Sequence, residues 1–140
     1  MNHDKCTNFT TQRKVRFEHC DPAGIVFYPR YFEMVNSVVE DWFSDVLRFG
    51  FNDLVESNKG VPTVSLKTQF HAPSRLGEIL SFCLTPQIAG RTSLNLDINA
   101  TCNDQRRLTA QVTLVHIDLI NGRPLPWPET MRQHFSLNET

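Results

Sequence analysis

One stretch constrains this chain more than any other: a long amphipathic run that opens at Pro29 and closes near Phe49. Apolar side chains stand at Tyr31, Phe32, Val35, Val38, Val39, Trp42, Phe43, Val46 and Leu47. Steps of three and four place them on one broad helical face. Pro29 suits the first helical position, where a missing N–H is no loss, and Gly50 is a natural stop. About 20 residues at 1.5 Å rise make a helix roughly 30 Å long. Such a helix depends on a large apolar surface to lie on, because packing of the apolar face supplies most helical stability.

The rest of the chain is patterned to supply that surface. Residues 61–72 alternate around Val64, Leu66, Thr68 and Phe70, and residues 78–87 around Leu80, Phe82 and Leu84. Residues 92–101 carry Leu94, Leu96 and Ile98; residues 108–120 carry Val112, Leu114, Ile117 and Leu119. Period two marks strands with one buried face. Residues 73–77, 89–91 and 103–105 supply turn chemistry between them, and Asn121-Gly122 closes the last. Connections this short predict antiparallel pairing. A further strand is expected over 10–18, where Val15 and Phe17 alternate with Lys14, Arg16 and Glu18. A short helical turn is expected over 52–58 and another over 129–135, beyond Pro124, Pro126 and Pro128. The expected fold is α+β: one long central helix wrapped by a curved antiparallel sheet of about five strands. The reading is a single domain over 1–140, with a short flexible N-terminus (about 1–8) and a Pro-rich C-terminal tail (about 121–140).

Composition narrows the function. A formal net charge of −1 argues against nucleic-acid binding, which needs a strongly basic face. No run approaches the ~18 apolar residues of a membrane span, so no membrane insertion is expected. The polar N-terminus carries no secretory pattern. Cys6, Cys20, Cys83 and Cys102 form no Cys-x-x-Cys pair, and free thiols in a cytoplasmic protein are the expectation. Ten Phe against two Tyr and two Trp suit a dry core or an apolar pocket.

The chemistry concentrates in residues 18–31, Glu-His-Cys-Asp-Pro-Ala-Gly-Ile-Val-Phe-Tyr-Pro-Arg-Tyr. Asp21 sits in a turn just before the long helix. A helix start presents free N–H groups and positive potential, which favour an anion or a developing oxyanion. Pro29 has no N–H, so the donors are Tyr28, Arg30 or Tyr31. If Gly24 lets the chain fold back, Asp21 lies near them. A carboxylate beside an oxyanion site either attacks a carbonyl or takes a proton from the attacking water. An isolated Asp-Pro turn would ordinarily be only an Asx turn. His19-Cys20-Asp21 is not a metal site, because neighbouring strand residues point to opposite faces and no further ligand is suitably spaced; no metal is expected. His71, His116 and His134 read as surface or packed histidines, and Glu33 and Glu40 as a solvated or interface face of the helix.

The run Cys20-Asp21-Pro22-Ala23-Gly24-Ile25-Val26, with Tyr28-Pro29 and Tyr31, strongly resembles the active-site signature of the 4-hydroxybenzoyl-CoA thioesterase group of hotdog-fold acyl-CoA thioesterases. The tail Asp118-Leu119…Gly122-Arg123-Pro124…Pro128-Glu129 is similar to the family's C-terminal end. The resemblance implies a hotdog fold with Asp21 as catalytic carboxylate and the Tyr28 N–H polarising the thioester carbonyl. It places Gly24, Pro29, Tyr31 and Asn36 at the substrate, with Asn36 where the hydroxybenzoyl enzyme has a helix carboxylate near the ring. His19 stands where the family usually has an acidic or polar residue, and Tyr28 where relatives from cell-envelope gene clusters carry His. No cofactor is implied beyond coenzyme A as part of the substrate; water is the co-substrate. The implied partners are an acyl-CoA or acyl-carrier thioester and further copies of the chain, as a homodimer or a dimer-of-dimers homotetramer. Arg91 lies where the family tends to place a phosphate-facing basic residue, and Arg75, Arg106, Arg107 and Arg123 are other loop candidates. Two other readings stand beside the thioesterase: a hotdog dehydratase or hydratase, disfavoured because residues 21–31 hold no His, and a non-enzymatic binder of an apolar ligand.

Overall fold

The computed structural model of the chain describes residues 8–135. Its long helix, α1, spans Tyr28–Asp45, and α2 follows at Phe51–Glu56. Strands β1 (Phe9–Lys14), β4 (Ile79–Ala89), β5 (Ser93–Cys102), β6 (Gln105–Val115) and β3 (Thr63–Phe70) form one sheet in the order β1-β4-β5-β6-β3. All its pairings are antiparallel. Strands β2 (Lys59–Gly60) and β7 (Ile117–Asp118) form a separate small ladder, and α3 (Glu129–Arg132) closes the chain.

The alternation read from the sequence is the alternation of burial. Leu80, Phe82 and Leu84 of β4, Leu94, Leu96 and Ile98 of β5, and Leu108, Val112 and Leu114 of β6 are buried on one face of the sheet. Met34, Val35, Val38, Val39, Trp42 and Phe43 of α1 share that core. Arg13 of β1 clasps the helix from the side through Ser37 and Asp41. Trp127 and Phe135 of the tail fill the far end, with Phe135 stacked on Trp42 at 6.0 Å. His116 is buried against Trp127, 5.0 Å between rings, so it is a packed histidine.

Three sequence expectations are corrected. The first strand stops at Lys14 and not at residue 18; a 3₁₀ turn, Phe17–His19, takes over. The Nδ1 of His19 accepts the Arg16 N–H at 2.8 Å, and Val15 donates to Glu78, so a local cap and a tertiary bond replace the ladder. Secondly, α1 ends at Asp45, although the apolar period runs on to Leu47. The N–H groups of Val46 and Leu47 both turn to Trp42 O, and Arg48 adopts φ 60°, reversing the chain so that α2 docks. The third is the expectation of free thiols: it holds at Cys20 and Cys102, whereas Cys83, on β4, is disulfide-bonded. Cys6 and most of the expected N-terminal segment lie outside the described residues. No helix among them is long and apolar enough to cross a membrane.

β3 lies at the outer edge of the sheet, with β6 as its neighbour on one side. Leu66 and Phe70 face the same side as the buried Val112 and Leu108 opposite them, and α1 covers that side only in part: Phe70 meets rings from its first two turns yet stays half exposed. Val64 is 59% exposed, Leu66 42% and Phe70 48%. An edge strand with an open apolar face invites pairing with another chain.

Candidate active site

The segment 20–26 is a tight hairpin built by its own residue types. Asp21, Pro22, Ala23 and Gly24 make a four-residue turn in which Gly24 N–H donates to Asp21 O at 2.9 Å. Asp at the first position, Pro at the second and Gly at the fourth are what a type I turn favours. Gly24 takes φ 78°, a left-handed conformation that a side chain would strain. Asp21 N–H then donates to Ile25 O, and Cys20 pairs with Val26, the pattern of a three-residue hairpin loop with a glycine bulge. Phe27 N–H donates to His19 O, so the hairpin that carries Asp21 leads directly into α1.

At that start the backbone is unusually open. Phe27 is the N-cap and has no side-chain oxygen to satisfy the first-turn N–H groups, a role normally filled by Ser, Thr, Asp or Asn. Pro29 brings no N–H, and the Arg30 N–H is spent on Phe27 O. The Tyr28 N–H meets no backbone acceptor among the described residues. The helix carries no acidic side chain in its own first turn; Asp21 belongs to the hairpin that precedes it. Asp21 is half-buried, and its Oδ1 accepts the Ala23 N–H at 2.9 Å. The Asx turn is thus real, and it uses one oxygen of the carboxylate.

Beside the hairpin lies an aromatic shelf. Tyr28 and Phe32 on one edge of α1 meet Phe70 of β3, with ring centroids 6.1 and 6.2 Å from it. Asn36 continues that edge one turn further; it is exposed, and its Nδ2 donates to Glu40 at 3.0 Å. Glu33 is exposed and paired with Arg30. Tyr31 also meets Phe70, with ring centroids 5.7 Å apart, but it is 4% exposed, and its hydroxyl donates to Ser74 at 2.9 Å. It lies on the buried stripe of α1 with Met34, Val35 and Val38.

Arg91 is not brought to Asp21 within one chain. It sits past the far end of β4, whereas the hairpin bonds to Arg75 and Leu76 just before the near end. Eleven strand residues separate them, roughly 35 Å at 3.3 Å each. Arg75 is exposed and bridged to Ile25, beside the hairpin. Arg107 was expected in a loop; it lies in β6, 5% exposed, and is committed to an ion pair. Its guanidinium donates to both carboxylate oxygens of Glu78, at 2.6 and 3.4 Å, to Pro73 O at 3.0 Å and to Ser74 Oγ at 3.3 Å. Sequence reasoning missed this cluster, because its members come from two segments about thirty residues apart.

The hydrogen bond from Arg107, then that from the Arg75 N–H, holds the Glu78 carboxyl below the usual carboxylate range. A carboxyl with a lowered folded pKa stabilises the fold above its unfolded pKa, about 4.3 for Glu, and loses that contribution as pH falls through the folded value. Glu78→Gln is therefore expected to lower the denaturant midpoint at neutral pH, with the gap to the parent closing below about pH 4. A gap of constant size across that window would contradict the pairing.

Among the described residues no group of three or more His, Cys, Asp or Glu is arranged to hold a metal. The profile of the thioesterase-like superfamily matches residues 15–135, which include the hairpin, α1 and the whole of β3 to β7. The chain belongs to the thioesterase-like superfamily. Its fold is the hotdog: the long helix α1 wrapped by the curved sheet. A 1,4-dihydroxy-2-naphthoyl-CoA hydrolase of Synechocystis is 25% identical over 123 residues, covering 86% of this chain and 89% of that one. The crystal structure of a 1,4-dihydroxy-2-naphthoyl-CoA thioesterase from Synechocystis superposes with a TM-score of 0.84 at 24% identity, over 94% of this chain and 98% of that one. A gentisyl-coenzyme A thioesterase superposes with a TM-score of 0.83 at 22% identity, over 91% of this chain and 100% of that one.

Proposed function

We propose that this chain is an acyl-CoA thioesterase of the 4-hydroxybenzoyl-CoA thioesterase type, hydrolysing an acyl-CoA to a free acid and coenzyme A. The observation that supports the reading is a carboxylate-bearing hairpin that runs directly into a helix start whose Tyr28 N–H is unspent. The thioester carbonyl oxygen points at that N–H, where the helix end stabilises negative charge as it develops. Asp21 either attacks the carbonyl carbon, giving a mixed anhydride and free thiolate, or takes a proton from the attacking water. Label from ¹⁸O-water found in the Asp21 carboxylate after a single turnover selects the first route.

The shelf of Tyr28, Phe32 and Phe70 supports an aromatic acyl group, since rings pack edge-to-face at such spacings. Asn36, one turn along, offers an amide to a ring hydroxyl. The two named relatives act on hydroxylated aromatic acyl-CoAs by name, which supports the same class here. The shelf is open on the β3 side, and a second copy pairing along β3 would close it; a homodimer is proposed on that ground, with the tetramer as two such dimers. Arg75 lies beside the hairpin to meet phosphate from the same chain, and Arg91 is left to a partner copy.

A panel of aromatic, short-chain and branched acyl-CoAs, read with a thiol-reactive dye, tests the reading. Release of thiol is expected, fastest for a hydroxylated aromatic acid. No release from any thioester, with one ligand retained tightly, would turn the assignment to a binder. Loss of water from a β-hydroxyacyl thioester without thiol release would turn it to a dehydratase.

A further inference from the structure

We infer that Ser74 is the positioning residue of this site, setting the Asp21 hairpin against the start of α1 with Tyr31 and Arg107 as its braces. The inference rests on the thioesterase reading and deepens it. The hairpin, the first turn of α1 and the distant strand β6 converge on this one fully buried serine. Its carbonyl accepts the Val26 N–H at 2.9 Å, which holds the hairpin. Its hydroxyl oxygen accepts from Tyr31 at 2.9 Å, which holds the first turn of α1, and from Arg107 at 3.3 Å. A hydroxyl oxygen has two lone pairs, so both bonds are accommodated together.

Arg107 keeps the serine in place. Its planar fork grips Glu78 and the carbonyl of Pro73, and these two residues flank Ser74 in the connection between β3 and β4. Shifting that connection would leave a buried guanidinium unpaired, a strongly unfavourable state. The same connection returns to the hairpin once more, where Leu76 N–H donates to Gly24 O at 3.2 Å. The carboxylate and the N–H donor thus belong to two adjoining elements that are both bonded to Ser74. Their separation matters steeply, since a misplacement of about 1 Å costs on the order of 100-fold in rate.

The test uses the acyl-CoA that the full chain hydrolyses fastest, with Ser74→Ala, Tyr31→Phe and the double variant assayed well below their melting midpoints. Each single change is expected to lower kcat about 10-fold and to leave KM within about twofold. The double variant is expected to fall no further than the worse single, because both delete the same bond. Amide hydrogen exchange at Val26 is expected to quicken at least about 10-fold in Ser74→Ala, with Leu96 and Ile98 in the sheet unchanged. Parental kcat in folded variants, a loss confined to KM, or effects that multiply to about 100-fold overturn the inference. If the parent hydrolyses no thioester, the thioesterase reading itself fails; parental exchange at Val26 then also rejects Ser74 as the hairpin's anchor, and quickened exchange retains it.

Discussion

Asp21→Asn is expected to slow thiol release by about 10³-fold while the protein stays folded. The variant separates two jobs of one side chain. The Asn oxygen still accepts the Ala23 N–H, so the Asx turn that shapes the hairpin survives. What is lost is the anion. An amide neither attacks a thioester carbonyl usefully nor removes a proton from water, and a positioned acid–base group typically contributes about 10²–10⁴-fold. KM should move little, because the shelf of Tyr28, Phe32 and Phe70 is untouched. Steady-state kinetics with matched circular dichroism checks this. Hydrolysis by Asp21→Asn at the parental rate would remove Asp21 from the chemistry.

Leu66→Asp is expected to convert an assembled protein to monomers and to cut thiol release at least about 100-fold. β3 has one hydrogen-bonded edge within the chain, and its other edge, with Val64, Leu66 and Phe70 exposed, is open. A carboxylate on that strand puts a desolvated charge into any edge-to-edge pairing, the device by which edge strands are kept apart. Phe70, on the same strand, belongs to the aromatic shelf, so on the proposed dimer reading the shelf is left open on that side. Sedimentation velocity alongside the thiol assay reads both effects. A dimer that persists with full activity in Leu66→Asp would place the interface elsewhere, with β1 as the other free edge of the sheet.

The elements that were legible in the sequence are those fixed by their own residues. The Asp-Pro-Ala-Gly turn needs only the fixed φ of Pro22 and the left-handed freedom of Gly24, both local sterics. The buried stripes of α1 and of β4, β5 and β6 follow from period alone, although β6 ends at Val115, so that Ile117 passes to β7 and Leu119, read on the same face, is exposed. Where local pattern and tertiary bonding compete, the pattern misleads. Residues 15–18 alternate like a strand, yet the chain bends into a 3₁₀ turn. Val46 and Leu47 continue the helical face, yet α1 has already ended.

The same division runs through the site. The sequence by itself determined that a carboxylate-bearing turn leads into a long helix with Pro in its first turn, because those features lie within one short segment. Only the tertiary structure decided which side chains surround that segment. Tyr31, carried along with the motif, turns inward to Ser74; Arg107, patterned like a surface charge, is buried with Glu78; Phe70, patterned like a core residue, stands half exposed on a free edge. The reason is physical: local sterics act over a few residues and can be read in order, whereas burial and ion pairing depend on segments that meet only when the sheet closes around the helix.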